Sequence, residues 1–155
     1  RYQVKVARRL PAPPDRVWPY LSEPEYLPRW FPGVTESTTV GEVQNGVGQR
    51  RRIKIDRNLK RAEREEEVTR WDEDRAITLE HLWEKMDGKT PPWIEGKSEY
   101  RLEPAEDGTE LTGWYTFSGH GTMGRIFSLL SFRKKHEKEY RLAFDNLEKQ
   151  VAEES

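Results

Sequence analysis

Residues 122–152 carry the clearest periodic pattern of apolar and polar positions in the chain. Apolar residues recur there at steps of three and four, which places them on one face of an α-helix. Charged residues occupy the opposite face. The pattern predicts one long helix, and its length predicts an end that frays or overhangs beyond Leu147. The predicted buried stripe is Ile126, Leu129, Leu130, Arg133, Glu137, Tyr140, Phe144, Leu147 and Val151.

The chain begins with the pattern of a strand followed by two short helices. Tyr2, Val4 and Val6 alternate with other residues at a period of two, as in a strand with one buried face. Prolines stop this strand, and residues 15–21 have the pattern of a short amphipathic helix. A capping-box spacing at residues 22–25 predicts a second short helix that runs through Trp30 and Phe31.

Between residues 34 and 118 the pattern changes to strands separated by turns. Connections this short permit only antiparallel neighbours. The five turns predict six strands, and the first strand adds a seventh. We therefore expect one α+β domain, residues 1–155, with a seven-stranded antiparallel sheet, two short helices between strands 1 and 2, and a long C-terminal helix. The turn signals are Asn45-Gly46, Asp56-Arg57-Asn58, Asp72-Glu73-Asp74, Asp87-Gly88 and Glu106-Asp107-Gly108.

Strand parity assigns an unusual mixture of charged and aromatic side chains to the inner face of this sheet. The least ambiguous apolar residues, such as Ile53 and Val68, fix the parity, and a single bulge would invert it. Buried charges need partners, so the charged members form either a polar group inside the sheet or a structural ion pair at its rim. The predicted inner face includes Val47, Gln49, Arg51, Ile53, Arg64, Glu66, Leu79, His81, Trp83, Tyr100 and Tyr115.

Charge and composition argue against several functions. Lysine plus arginine total 27 and aspartate plus glutamate total 28, so no global field attracts nucleic acid. The absence of cysteine excludes thiolate chemistry and is compatible with a reducing compartment. The three histidines lack the spacing of metal ligands, and no apolar run is long enough for a membrane span. We expect no metal, no cofactor, no nucleic-acid partner, no membrane segment and a cytoplasmic location.

Several short segments resemble those of a known family. LPAPPDRVW at 10–18 and PRWFPGV at 28–34 are similar to the openings of START-like bacterial proteins of the polyketide cyclase/dehydrase type. VGQ at 47–49, EVTRWD at 67–72 and DGTELT at 107–112 resemble the third strand, fourth strand and last hairpin of the same group. The resemblance implies the helix-grip fold of the START (SRPBCC) superfamily, which is shared with birch pollen allergen. In that fold a curved sheet wraps round the C-terminal helix and encloses a cavity.

The resemblance also implies binding or transport of a small hydrophobic ligand, such as a lipid, quinone or polyketide-like molecule, in this cavity. Arg51 and Arg64 would orient a ligand carbonyl, phenolate or carboxylate. Trp30 and Phe31 would help to close the mouth. The expected ligand-binding residues are Trp30, Phe31, Arg51, Ile53, Arg64, Glu66, Leu79, His81, Trp83, Tyr100, Tyr115, Phe127, Leu130 and Tyr140.

Two alternatives of different classes remain open from the sequence. One is a polyketide aromatase/cyclase, in which an inner arginine stabilises an enolate while a tyrosine or histidine moves a proton. The other is a protein-interaction module whose aromatic residues form an ordinary core and which binds its partner through an apolar patch or the terminal helix. No catalytic set follows from the residues, so binding is favoured over catalysis.

Overall fold

The computed structural model describes residues 2–57, 60–90, 93–119 and 122–154, without the side chains of residues 57, 93–95, 119 and 122–132. The first elements are strand β1 (Tyr2–Leu10), helix α1 (Pro14–Ser22) and a 3₁₀ helix (Pro24–Arg29). The last element is the long helix α2 (Thr122–Glu154). Six strands lie between them: β2 (Val34–Val40), β3 (Arg50–Arg57), β4 (Lys60–Asp72), β5 (Ala76–Met86), β6 (Trp93–Ala105) and β7 (Gly108–Gly119).

All seven strands form one antiparallel sheet in the order β1-β7-β6-β5-β4-β3-β2. Strands β2 to β6 each pair with the next strand along the chain, and β1 pairs with β7. The predicted α+β architecture is therefore confirmed, although the predicted capping box does not form and the second short helix is a 3₁₀ helix that ends at Arg29, before Trp30 and Phe31. Glu23 is the N-cap of the 3₁₀ helix, and no side chain bonds that helix start. In the described part of the chain, no helix is long and apolar enough to cross a bilayer.

Helix α2 packs one face against the inner side of the sheet. His136, Tyr140, Phe144, Leu147 and Val151 are each 3% exposed or less, at the steps of three and four that a helix requires. The predicted stripe is thus correct from Tyr140 onward. It is wrong at Arg133, which is exposed, and Glu137 is only half-buried. The side chains of Ile126, Leu129 and Leu130 lie outside the described residues.

His136, which the sequence pattern left out of the stripe, is buried on the face of α2 that packs against the sheet, one turn after the exposed Arg133. Its ring stacks on Phe117 at 4.2 Å between centroids, and its Nδ1 lies 2.6 Å from the Tyr2 hydroxyl. An imidazole can pack flat against aromatic rings and satisfy a ring nitrogen with one hydrogen bond. A guanidinium at that position would need several partners.

The C-terminal end of α2 is fixed rather than frayed, which corrects the expectation for residues beyond Leu147. Val151 is buried, and the carboxylate of Glu154 contacts the Tyr20 hydroxyl of α1 and Arg29 Nη1, the latter at 3.2 Å. Arg16 donates a hydrogen bond to the Glu154 carbonyl at 2.8 Å. Burial and the hydrogen bond to Glu154 raise the pKa of Tyr20 above its usual range, so this hydroxyl stays protonated. Together these contacts join both short helices to the end of α2.

A bulge in β5 overturns the predicted inward position of Trp83. Glu66 pairs with His81 and Glu65 pairs with Trp83, so Leu82 is an extra residue that inverts the alternation. Trp83 therefore lies on the outer face, where the Arg52 guanidinium sits 5.9 Å from its ring centroid. Val47 is also misassigned, because it lies in the loop before β3 and is exposed.

Replacing Tyr20 by phenylalanine tests the anchoring of the helix end. Loss of the hydroxyl leaves Glu154 with one fewer donor, so the free energy of unfolding should fall by about 1 kcal/mol in urea denaturation. Tyr26→Phe is the control, because no hydrogen bond joins the Tyr26 hydroxyl to the described residues. Equal stabilities of the two variants would show that the anchor contributes nothing.

Gly113 of β7 lies where α2 approaches the sheet closely. A Cβ atom at this position would lie 2.9 Å from Cζ of Phe144. We expect Gly113→Ala to lower the free energy of unfolding by about 1–3 kcal/mol, because the new methyl group pushes the ring away. Combination with Phe144→Leu should cost less than the sum of the two single variants. Strict additivity would contradict the contact.

Candidate functional site

The candidate site lies between the inner face of the sheet and α2, and it is built on strands β3 and β4. Arg51 pairs with Glu66 and Ile53 pairs with Arg64 in the β3–β4 register. These four residues point to the same side because side chains alternate along a strand and directly opposed residues share a face. Arg51, Arg64 and Glu66 are 4%, 3% and 4% exposed, so three ionisable side chains are buried together.

Arg51 is bound entirely through neutral acceptors among the described residues. Its Nε donates to Gln49 Oε1 at 2.8 Å, and its Nη2 donates to the carbonyl oxygen of Leu21 at 2.7 Å. Leu21 lies in the last turn of α1, where carbonyl groups have no partner within the helix and carry the negative end of the helix dipole. The C-terminal end of α1 thus stabilises a buried cation.

Burial changes the acidity of Arg51 without removing its charge. Desolvation lowers the pKa of Arg51 to about 10, against the opposing influence of the Glu66 carboxylate and of Tyr100. A pKa of about 10 is still well above neutral pH. Arg51 therefore remains a cation inside the protein under physiological conditions.

Glu66 lies between two further inner side chains. Its Oε1 is 3.7 Å from Arg64 Nε, and its Oε2 is 3.1 Å from Nε2 of His81. The His81 side chain is completely buried. Glu84, which pairs with Arg64 across β4 and β5, is a second buried acid on this face. The expected polar group thus lies inside the sheet rather than at an exposed rim.

Aromatic side chains cover this polar group. Tyr140 of α2 stacks on Tyr115 with centroids 3.4 Å apart, and the Tyr115 hydroxyl donates to the Tyr100 hydroxyl at 3.0 Å. Phe31 meets Tyr140 edge-on at 5.6 Å, and Trp30 meets Tyr100 at 6.3 Å. These contacts bring together residues from the 3₁₀ region, the sheet and α2.

Trp30 and Phe31 are held very differently. The indole Nε1 of Trp30 donates to the Tyr20 carbonyl at 3.1 Å, and Asn146 Nδ2 donates to the Trp30 carbonyl at 3.2 Å. The phenyl ring of Phe31 can form only packing contacts, with Trp30 and Tyr140 among its neighbours. Trp30 is therefore a fixed wall, whereas Phe31 can move without breaking a side-chain hydrogen bond.

A small cavity of about 20 Å³ remains between these groups. This volume is enough for about one water molecule and far below the several hundred Å³ of a typical ligand site. The described part of the interior is therefore largely packed rather than open. The cavity is lined by Leu21, Leu27, Trp30, Phe31, Arg51, Arg64, Glu66, Leu79, Ser98, Tyr100 and Tyr140.

Most of the residues expected from the sequence meet at this cavity, and eight of them line it directly. Ile53, His81 and Tyr115 lie behind that lining: Ile53 is fully buried, His81 contacts Glu66 and Tyr115 contacts Tyr100. Trp83 does not belong to the site. The side chains of Phe127 and Leu130 lie outside the described residues.

Sequence reasoning missed several members of the site. The parity argument found Gln49 on the inner face but gave it no role in the site. The bulge at Leu82 reversed the predicted orientation of Glu84. Ser98 follows Gly96, where another register shift interrupts β6, so the alternation there could not be predicted either. The Leu21 carbonyl is a backbone group, so only its position at the end of a predicted helix could have indicated it.

Comparisons with known proteins place this arrangement in a family. A START superfamily protein from Mycobacterium smegmatis superposes with a TM-score of 0.81 at 12% identity, over 99% of each chain. A protein from Thermus thermophilus gives 0.79 at 19% identity, also over 99% of each chain. Ara h 8.0201 gives 0.69 at 18% identity over 98% of each chain. These likenesses confirm the predicted helix-grip fold, and at such identities they establish the fold alone.

A search of curated proteins found no match. The family model described as polyketide cyclase/dehydrase and lipid transport matches residues 1–152, almost the entire chain. That match agrees with the resemblance carried by the local motifs at 10–18 and 28–34. The chain therefore belongs to the polyketide cyclase/dehydrase and lipid transport family.

Proposed function

We propose that this protein binds a small, largely apolar ligand whose polar end reaches the cavity beside Arg51 and Arg64. The observation that carries the proposal is the burial of Arg51, Arg64 and Glu66 around a residual cavity inside an aromatic interior. Moving an ion out of water costs several kcal/mol, and apolar side chains of similar volume would fill a purely structural core without that cost. In a binding site, these buried charged groups would instead interact with the polar end of the ligand. The family description, which includes lipid transport, supports this class of ligand.

The size of the cavity limits how the ligand enters. About 20 Å³ accommodates one or two ligand oxygen atoms in place of a water, but not a hydrocarbon body. The body of the ligand has to displace side chains, and Phe31 is the lining aromatic residue whose ring moves without loss of a hydrogen bond. We therefore assign Phe31 as the gate and Trp30 as the fixed wall beside it.

Ligand binding is tested with a panel of a fatty acid, a short-chain quinone and a flavonoid, using native mass spectrometry and tryptophan fluorescence. At least one class should bind with 1:1 stoichiometry and change the emission of Trp30, because that indole lines the cavity. Trp30→Phe should remove this fluorescence change while the mass of the complex is still detected. Failure of every class to bind would overturn the proposed function.

The gate is tested by Phe31→Ala in stopped-flow measurements with a ligand from that panel. Deleting the ring removes the contact with Tyr140 and opens a path to the cavity, so the association rate should rise several-fold. The substitution should also lower the free energy of unfolding by about 3 kcal/mol.

Val151→Ala is the control for the Phe31 variant, because it truncates a buried residue near the end of α2, where Glu154 contacts α1 rather than the cavity. Its association rate should match that of the wild type. An unchanged rate for Phe31→Ala, or an equal increase in both variants, would contradict the role of Phe31 as a gate.

A further inference from the structure

Gln49 is completely buried, and each polar atom of its side chain is used. Its Oε1 accepts the hydrogen bond from Arg51 Nε, while its Nε2 donates to the carbonyl oxygens of Ser22 at 3.1 Å and Gln44 at 2.7 Å. The opposite orientation of the amide would place its oxygen against two carbonyl oxygens and its NH₂ group against an N–H. The neighbours therefore fix which end of the amide faces Arg51.

This arrangement holds the Arg51 guanidinium in place without neutralising it. A carboxylate in the position of Gln49 would form a buried ion pair, but the amide and the Leu21 carbonyl contribute only partial charges. Two of the five N–H donors of Arg51 are used by these acceptors. In the described part of the chain the remaining donors form no hydrogen bond, and they can reach a group at the cavity that Arg51 lines.

The charges at the cavity leave Arg51 as the cation that a ligand can complement. The cavity is lined by Arg51 and Arg64, which are positive, and by Glu66, which is negative. Glu84, a second buried acid on this face, lies opposite Arg64 across β4 and β5, so two acids lie near Arg64, whereas the hydrogen-bond acceptors of Arg51 are neutral. A ligand carboxylate would form a charged pair with Arg51, and a neutral carbonyl or amide would not. The volume of about 20 Å³ also matches one oxygen atom of a planar carboxylate better than a larger anionic group such as a phosphate.

We propose that the site selects a ligand that ends in a carboxylate, and that Gln49 is the positioning residue that orients Arg51 through a neutral hydrogen bond and so leaves it able to pair with this carboxylate. The inference rests on the proposed function and narrows its ligand class to apolar carboxylic acids. Gln49 acts through Arg51 and does not itself contact the ligand.

The inference is tested by comparing decanoic acid with decanamide, which has the same chain and nearly the same head group but no charge. Affinities are measured at pH 7.5 by isothermal titration calorimetry. A charge-assisted pair with Arg51 should give the wild type roughly tenfold or greater preference for the acid. Gln49→Glu introduces a carboxylate that pairs with Arg51, so it should abolish this preference while the affinity for the amide changes less than about threefold.

Two further variants separate this effect from misfolding and from net charge. Arg51→Met removes the cation at similar volume and should also abolish the preference for the acid. Gln3→Glu adds the same charge at an exposed position of β1 and should leave the preference for the acid unchanged. If Gln49→Glu does not fold, the wild type and Arg51→Met still give the decisive comparison.

The outcomes distinguish the two proposals. Equal affinities of the wild type for acid and amide overturn the carboxylate selection and leave ligand binding intact. A preference that persists in Gln49→Glu overturns the role of Gln49. Failure of both compounds to bind overturns the carboxylate inference, and the proposed function falls as well only if the quinone and flavonoid also fail to bind.

Discussion

The burial of the Arg51 guanidinium is the constraint on which the rest of the site depends. A cation removed from water needs acceptors at fixed positions, and here they come from two parts of the chain. The last turn of α1 supplies the Leu21 carbonyl, and Gln49, the residue before β3, supplies its side-chain amide, which is itself bound to the Ser22 carbonyl. The same hydrogen bonds that orient Arg51 therefore attach α1 to the sheet.

Helix α2 provides the other wall, and it is held at positions far apart along its length. Near the middle, His136 and Tyr140 stack on aromatic rings of β7, and Phe144 packs over Gly113. At its end, Glu154 contacts α1 and the 3₁₀ helix. Because both walls of the cavity are attached to the same short helices, opening the site by movement of the Phe31 ring disturbs fewer contacts than displacement of α2.

Much of the fold could be predicted from the sequence because its signals are periodic. Turn residues separated six strands, and apolar spacing identified the terminal helix. The same parity argument correctly placed Arg51, Arg64, Glu66 and Tyr100 inside. It failed at Trp83, because the extra residue at Leu82 reverses the alternation and no residue type marks that bulge.

The remaining errors concern contacts between distant parts of the chain. The end of α2 was expected to fray because its sequence alone does not reveal that Tyr20 and Arg29 lie beside Glu154. Gln49 was correctly placed inside, but its effect on Arg51 depends on the backbone carbonyls of Ser22 and Gln44, which orient its amide and are not marked by a residue type. The size of the cavity could not be predicted from the sequence either, since the same aromatic residues can line an open cavity or fill it.

The protonation state of a bound carboxylic acid tests the central claim most directly. Decanoic acid labelled with ¹³C at the carboxyl carbon is bound to the protein, and its chemical shift is followed by NMR as the pH is lowered within the range where the protein stays folded. If the carboxylate lies against Arg51, its pKa is depressed below that of the free acid, and Arg51→Met raises it again. A bound carboxyl group whose pKa equals or exceeds that of the free acid would contradict the account.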